Sequence, residues 1–223
     1  MGERAGTVFS IARDNAPTPG CTTSHRAMSA PGASVSYFSL APRTDISAEI
    51  YPRHRLLLPV TGELEVLTRP DGAASSAVAL PSGCALLTPV GVPVGVRASD
   101  DACVYVEVEI KEESVMNEAL EAGSVLKLAD LVPYQEGSIV NMDLAHNDTM
   151  KLALMAFDAG TGLSEHAAPG EALIFALDGE GVIGYEGSEH VIHAGENFKF
   201  DKGGRHYVRA EKRFKMALLL LPK

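Results

Sequence analysis

The stretch of sequence that decides the fold is GTGLSEHAAPGEALIFALDGEG, residues 160–181. It contains a short apolar run, ALIFAL, bordered by Pro, Gly and Asp. Short apolar runs with such borders predict β-strands, because Gly and Pro mark places where the backbone must turn. A related stretch lies 117 residues earlier, RTDISAEIYPRHRLLLPVTGEL, residues 43–64. The sequence therefore predicts a β structure that occurs twice.

The repeat extends well beyond these two stretches. An offset of 117 residues aligns the two halves without a gap from Ala5 to Val66. The identical pairs include Ala5/Ala122, Gly6/Gly123, Val8/Val125, Ala12/Ala129, Gly20/Gly137, Ser47/Ser164, Pro52/Pro169, Leu56/Leu173, Gly62/Gly179 and Glu63/Glu180. Shared Gly and Pro residues indicate shared turns, so we expect both copies to have one fold.

The offset then falls to 112 residues. Gly83, Gly91 and the run Val96–Ala98 match Gly195, Gly203 and residues 208–210. The five extra residues of the first copy lie in TRPDGAASSA, residues 68–77, whose composition is typical of a hairpin loop. Insertions are tolerated in such loops, so the change of offset supports the repeat.

Short apolar runs bounded by turn residues fill both copies, which predicts an all-β fold of antiparallel strands in sandwich or barrel form. The main helical candidate is KEESVMNEALEAG, residues 111–123, whose composition suits a solvated helix or a connector between the copies. The predicted domains are residues 1–116 and 117–223. A sheet closed on itself would bury one face and enclose a small ligand.

Composition excludes several classes of function. The formal net charge of −10 argues against nucleic-acid binding, which needs clustered Lys and Arg. No run of about 18 apolar residues occurs, so no membrane span is expected. The first ten residues lack the apolar core of a signal peptide. Three cysteines without CxxC spacing indicate reduced thiols, and we expect a cytoplasmic protein.

Two motifs of the second copy resemble those of the cupin family. In the first, Gly160 is followed after five residues by His166, and DGEG at residues 178–181 matches the end of the motif. In the second, GENFKFDKGGRHYV, Gly195, Gly203 and His206 match, with Asp201 in the usual Pro position. Through the repeat, the resemblance covers nearly the whole chain and implies two tandem cupin-type jelly-roll β-barrels, a bicupin.

The family resemblance also implies a divalent metal inside the barrel. Its usual ligands are two His and a Glu of the first motif and a His of the second, a mixed nitrogen and oxygen set that suits Zn, Fe, Mn or Ni. Here the second His position is Ala168 and the Glu position is Ala172. The candidate ligands are therefore His166, His206 and Glu171. Two imidazoles alone make a weak site, because catalytic metals normally have three protein ligands.

Glu171 lies one residue before the family position. In a regular strand that shift turns a side chain to the opposite face, whereas a turn at Pro169 and Gly170 would let it reach inward. His190 is a further candidate for contact with a ligand if its strand directs it inward. Pocket-lining histidines without a metal are the competing interpretation of His166 and His206.

The first copy lacks this ligand set. Glu49 stands at the position of His166, Tyr51 at Ala168, Arg55 at Ala172 and Val94 at His206. One acid beside a Val and an Arg does not make a divalent site, so we expect a structural domain or a differently lined pocket.

Two hypotheses of function follow. One is a metal-dependent enzyme acting on a sugar or small organic acid through His166 and His206. The other is a non-catalytic module that binds or senses a small molecule. The sequence does not choose between them, because the fold hosts many activities. We expect a small-molecule partner, and a homodimer is compatible with the sequence but not required by it.

Overall fold

The structure, a computed structural model, describes residues 3–69, 75–111 and 113–222. Nearly all regular structure is β, as the sequence predicts. The strands of the first half are β1 Val8–Phe9, β2 Thr22–Ser29, β3 Ala33–Leu40, β4 Asp45–Ile50, β5 Arg55–Thr61, β6 Glu63–Thr68, β7 Ser76–Pro81, β8 Cys84–Leu87, β9 Pro93–Ala98, β10 Cys103–Ile110 and β11 Val115–Met116. Those of the second half are β12 Val125–Lys127, β13 Ile139–Asn147, β14 Met150–Phe157, β15 Thr161–Ala167, β16 Gly170–Tyr185, β17 Ser188–His193, β18 Asn197–Phe200, β19 Arg205–Ala210 and β20 Phe214–Pro222. The helical segments are α1 Ile11–Asp14 and a 3₁₀ turn, Leu128–Asp130.

Every strand pair among the described residues is antiparallel, and each half has two layers. In the first half the layers are a sheet of order β12-β8-β5-β10-β3-β2 and a sheet of order β4-β9-β6-β7. In the second half the long strand β16 belongs to both layers, pairing with β18 and β20 at its beginning and with β17 and β19 at its end. The two sheets of the first half end in edge strands, so the sheets are not closed on themselves and form a jelly roll of packed layers.

Alternation along the strands builds three cores. In β10, Val104, Val106 and Val108 face one core, and Cys103 and Tyr105 face another. The core on the valine side is shared, since it also contains apolar residues of β14, β16 and β20. Each half has an interior core besides. The two halves are therefore packed against each other through the outer faces of two large sheets.

The elements of the two halves recur at the offsets of the sequence repeat. At an offset of 117, β2 corresponds to β13, β3 to β14 and β4 to β15, and at 112, β7 corresponds to β17 and β9 to β19. The loop between β6 and β7 carries the length difference, and Thr68 pairs with Ser76 across it. Residues 70–74 of that predicted insertion lie outside the described residues.

The first strand of each half pairs with the other half. Val8 of β1 pairs with Phe198 of β18, and Val125 of β12 pairs with Leu86 of β8. The two pairs are equivalent under the sequence repeat. Val8 and Val125 are related by the offset of 117 residues, and Leu86 and Phe198 are related by the offset of 112 residues. The two halves therefore exchange one strand reciprocally.

The predicted helical connector is wrong. Within residues 113–123, Val115 and Met116 form β11, which pairs with His146 and Ala145 of β13, and turns follow. Leu120 is buried in the core shared by the halves. Strand pairing and burial of one leucine outweigh the helix propensity of a short charged stretch, which is worth only tenths of a kcal/mol per residue. β11 also places residues 115–116, the end of the first predicted domain, in a sheet of the second half.

Two further sequence predictions concern membrane-spanning helices and the state of the cysteines. Among the described residues, no helix has the length and hydropathy that crossing a membrane requires. Cys21, Cys84 and Cys103 are unpaired thiols, and Cys21 is exposed.

Candidate functional site

Strands β15 and β19 bring the two predicted histidines together. His166 and His206 are direct partners in the antiparallel register, and their ring centroids lie 4.2 Å apart. His206 is 8% exposed, whereas His166 is exposed to solvent. The pair therefore joins the interior of the second half to solvent.

Backbone carbonyls orient both imidazoles. Nδ1 of His166 lies 2.9 Å from the carbonyl oxygen of Ser164, and Nδ1 of His206 lies 3.1 Å from that of Gly204. A carbonyl oxygen only accepts hydrogen bonds, so each Nδ1 carries the hydrogen and donates. In the neutral rings both Nε2 atoms then keep a lone pair, which is free to accept a hydrogen bond or to bind a metal.

Burial favours the neutral form of the inner histidine. Desolvation lowers the pKa of His206 below its usual 6.5, and the nearby His166 lowers it further, against the opposing effect of the Gly204 carbonyl. His206 is therefore an uncharged acceptor at pH 7.

Aromatic rings fill the interior behind the pair. Phe200 stacks on His206 with centroids 4.0 Å apart, and Phe198 lies 5.2 Å from Phe200. Both phenylalanines are at most 1% exposed. A ligand of the histidine pair must therefore approach from the exposed side of His166.

Glu171 does not join the two histidines. It lies in the regular part of β16, where it alternates with Ala172, and Ala172 packs in the same core as Phe200. Glu171 faces the other way, on the side of Leu173, and its Oε2 is 3.9 Å from Nζ of Lys199. The prediction that Glu171 completes a ligand set with His166 and His206 is therefore corrected, because Gly170 already pairs with Pro222 in β16 and Glu171 follows in regular strand alternation.

His190 is inward but not in contact with the pair. It shares a face of β17 with the buried Ile192, and its ring lies 5.2 Å from Phe198. The ring contacts lead from His190 through Phe198 and Phe200 to His206. His190 therefore lies among the aromatic side chains behind the histidine pair.

The donor set does not fit a three-ligand metal centre. Across the described ranges, no group of three or more His, Cys, Asp and Glu side chains converges as a metal site requires. The histidine pair offers two nitrogen atoms, one fewer than a catalytic metal normally receives from protein.

The first half holds a different set of side chains at the equivalent positions. Glu49 pairs with Val94 as His166 pairs with His206. Arg55, at the position of Ala172, forms an ion pair with Glu107 inside a cavity of about 160 Å³. No sequence motif pointed to Glu107. The alternation in CVYVEVEI was the available signal, since it places Glu107 on the face opposite the valines.

Known proteins resemble the chain in the following ways. Residues 153–222 match the family model of the cupin domain. A cupin 2 conserved barrel domain protein from Leptotrichia buccalis superposes with a TM-score of 0.85 at 27% identity, over 98% of each chain. Oxalate decarboxylase from Bacillus subtilis gives a TM-score of 0.57 at 11% identity, over 100% of this chain and 78% of that one. No curated protein matches the sequence significantly.

These matches show what the fold of the chain resembles. The all-β fold is a jelly roll similar to that of the cupin barrel protein, and the similarity to the cupin domain model lies in residues 153–222. The cupin family includes metal-dependent enzymes and ligand-binding modules, and the Bacillus subtilis oxalate decarboxylase has Mn(II) centres.

Proposed function

We propose that the chain is a bicupin, with one cupin domain in residues 1–116 and a second in residues 117–223. The equal order and offsets of the strands support this proposal. The reciprocal exchange of β1 and β12 also supports it. β1 of the first half pairs with the second half, and the equivalent strand β12 of the second half pairs with the first half. A duplication that began as a homodimer and became one chain accounts for both observations.

We propose that the second half binds a small polyhydroxylated molecule, such as a sugar or cyclic polyol, without catalysing a reaction on it. The observation that carries the proposal is the pair of imidazoles at 4.2 Å, each with Nδ1 engaged by a carbonyl. Two neighbouring imidazoles, each with a lone pair on Nε2, suit a ligand that has two neighbouring hydroxyl donors.

Binding without catalysis is the better-supported alternative because of the position of Glu171. A carboxylate beside the two imidazoles would supply an acid or base or a third metal ligand. Glu171 instead lies on the opposite face, next to Lys199.

A second candidate is a divalent metal, Zn, Fe, Mn or Ni, held by the two histidines. The two free Nε2 atoms favour it. Two protein ligands predict weak binding, and we derive no reaction step through such a metal.

Ligand-observed NMR with myo-inositol tests the first candidate, and cyclohexanol serves as a matched probe with a single hydroxyl. We expect saturation transfer to myo-inositol in the wild-type protein and a loss of at least about tenfold in affinity in His166→Ala/His206→Ala. His193→Ala is the control, because His193 is exposed and contacts Glu180 and Glu196 instead.

Three results would count against the polyol. They are equal binding of cyclohexanol, unchanged binding by the double variant, and absence of transfer to myo-inositol. Titration of the same samples with Zn²⁺ and Mn²⁺ tests the second candidate: saturable binding that only the double variant loses supports the metal.

A further inference from the structure

The interior of the first half contains a cavity of about 160 Å³ with a charged pair at one side. Its walls are largely apolar and aromatic, and include Phe38, Val94 and Tyr105. Arg55 and Glu107 lie at the boundary with a second, more open cavity, and both cavities share these two residues with Phe38. The first cavity therefore has an apolar end and a polar end.

Three contacts fix the guanidinium group of Arg55. Its Nη1 donates to Oε1 of Glu107, and its Nη2 lies 4.0 Å from Oε1 of Glu109. Its central carbon lies 3.8 Å from the centroid of the Tyr51 ring. The Arg55 and Glu107 side chains are only 22% and 10% exposed. An ion pair held from three sides and largely out of water is a preorganised recognition element.

The rest of the cavity favours a flat molecule. The rings of Phe38 and Tyr105 stack with centroids 4.8 Å apart and planes 7° from parallel. Tyr105 is 1% exposed and Val94 is 2% exposed. Rigid walls of this kind bind planar apolar groups at little entropic cost.

The charges exclude the simplest ionic ligands. Glu49, Glu107 and Arg55 all line the cavity, so their formal charges sum to −1 and disfavour an anion. A small cation would be repelled by the positive charge of the Arg55 guanidinium group. The guanidinium has five N–H donors and the carboxylate has about four lone-pair sites, more than their mutual contact uses. A neutral head with a donor beside an acceptor satisfies both.

We propose that the first-half cavity binds a small neutral molecule with a planar apolar body and an amide-type head, read by Arg55 and Glu107. The carbonyl oxygen of the amide accepts from Arg55, and its N–H donates to Glu107. This site is independent of the histidine pair.

The second half provides an internal control for the role of the charged pair. Leu57 pairs with Glu107 as Ile174 pairs with Leu218, so Leu218 is the equivalent of Glu107. Ala172 is the equivalent of Arg55. The jelly roll therefore accommodates Ala and Leu at these two positions, and Arg55→Ala/Glu107→Leu replaces the pair without leaving one buried charge alone.

The test compares benzamide, benzoate and benzylamine, which share a ring and differ in the charge of the head. We expect benzamide to bind the wild-type chain at least about tenfold more tightly than either charged probe, by NMR titration. We expect the double variant to lose that preference. Arg97→Ala/Glu65→Leu removes a more exposed ion pair of the same half and should leave the binding of benzamide unchanged.

Four outcomes would overturn the proposal. They are no binding of benzamide by the wild-type chain, a preference for benzoate, a preference for benzylamine, and equal binding by the Arg55→Ala/Glu107→Leu variant. The amide resonances of the second half, followed in the same spectra, show whether each variant is folded, so a loss of binding by unfolding is recognised.

Discussion

At the scale of single residues, the interiors of the two halves differ at equivalent positions. His206 and Val94 occupy equivalent positions on β19 and β9, and each faces an interior core. One half therefore has a titratable group where the other has an aliphatic one. The difference makes the contribution of His206 to stability measurable.

We predict that His206 makes the protein less stable in mild acid. Its folded pKa lies below 6.5, its value in the unfolded chain, because burial disfavours the charged ring. Between these two pKa values the unfolded state binds more protons, so the free energy of unfolding falls as the pH falls below 6.5. Urea unfolding of the wild type and of His206→Val between about pH 7.5 and about pH 5 measures this.

The valine variant should lose less stability over that range, because it has no proton to gain at this position. Parallel pH profiles for the two proteins would contradict the assignment of a buried, neutral His206.

The sequence predicted part of the site and missed the rest for identifiable reasons. The motif spacing identified His166 and His206, and register pairs them directly. The motif spacing did not decide which face of the strand Glu171 occupies, because Pro169 and Gly170 were compatible with either a turn or a strand. The pairing of Arg55 with Glu107 joins residues 52 positions apart and follows from strand order, which no local pattern contains.

At the scale of elements, two equivalent glycines allow the chain to pass between layers. Gly62, between β5 and β6, has φ of +72°, and Gly179, within β16, has φ of +73°. A Cβ at Gly62 would lie 2.2 Å from the carbonyl oxygen of Ala102, and one at Gly179 would lie 1.9 Å from that of Arg213. Backbone conformation and backbone contact both require glycine there.

We predict that Gly62→Ala and Gly179→Ala each lower the free energy of unfolding by about 2–3 kcal/mol, since a strained left-handed residue costs 1–3 and the clash adds to it. Gly91→Ala is the matched control. Gly91 has φ of +73° but no atom within 4 Å of an added Cβ, so about 1 kcal/mol is expected. Chemical denaturation of the three variants gives the comparison, and equal losses in all three would contradict the role of the close contacts.

Elements differ in how far local sequence determines them. The apolar runs between turn residues predicted the all-β fold, and the structure confirms it. The stretch at residues 111–123 predicted a helix from its charged composition, yet β11 and the burial of Leu120 place it against the second half. Pairing with a strand distant in sequence determined the conformation of this stretch, and composition alone does not predict such pairing.

At the scale of the whole molecule, the shared core and the two exchanged strands make the halves interdependent. The shared core contains apolar residues such as Val35, Leu56 and Val106 from one half and Leu152, Leu173 and Leu219 from the other. Burial of that many side chains contributes a large part of the hydrophobic stabilisation. The repeat was visible in the sequence, but the exchange of β1 and β12 was not, because an offset shows which residues are equivalent and not where they pair.

We predict that the chain unfolds in one cooperative transition and that residues 1–116 or 117–223 expressed alone do not fold stably. Each fragment would expose its side of the shared core and lack one exchanged strand. Coexpression of the two fragments should restore a complex of native size and far-ultraviolet circular dichroism.

Calorimetry of the full chain and size exclusion of the fragments make the measurement. Two separate thermal transitions, or a monomeric folded fragment of either half, would contradict the prediction.

The exchange of β1 also sets an order of events during synthesis on the ribosome. Val8 and Phe9 are synthesised long before their partners, Phe198 and Asn197. β1 must therefore remain unpaired until β18 has been made. The open edge of β8 is covered much earlier, when Val125–Lys127 emerge.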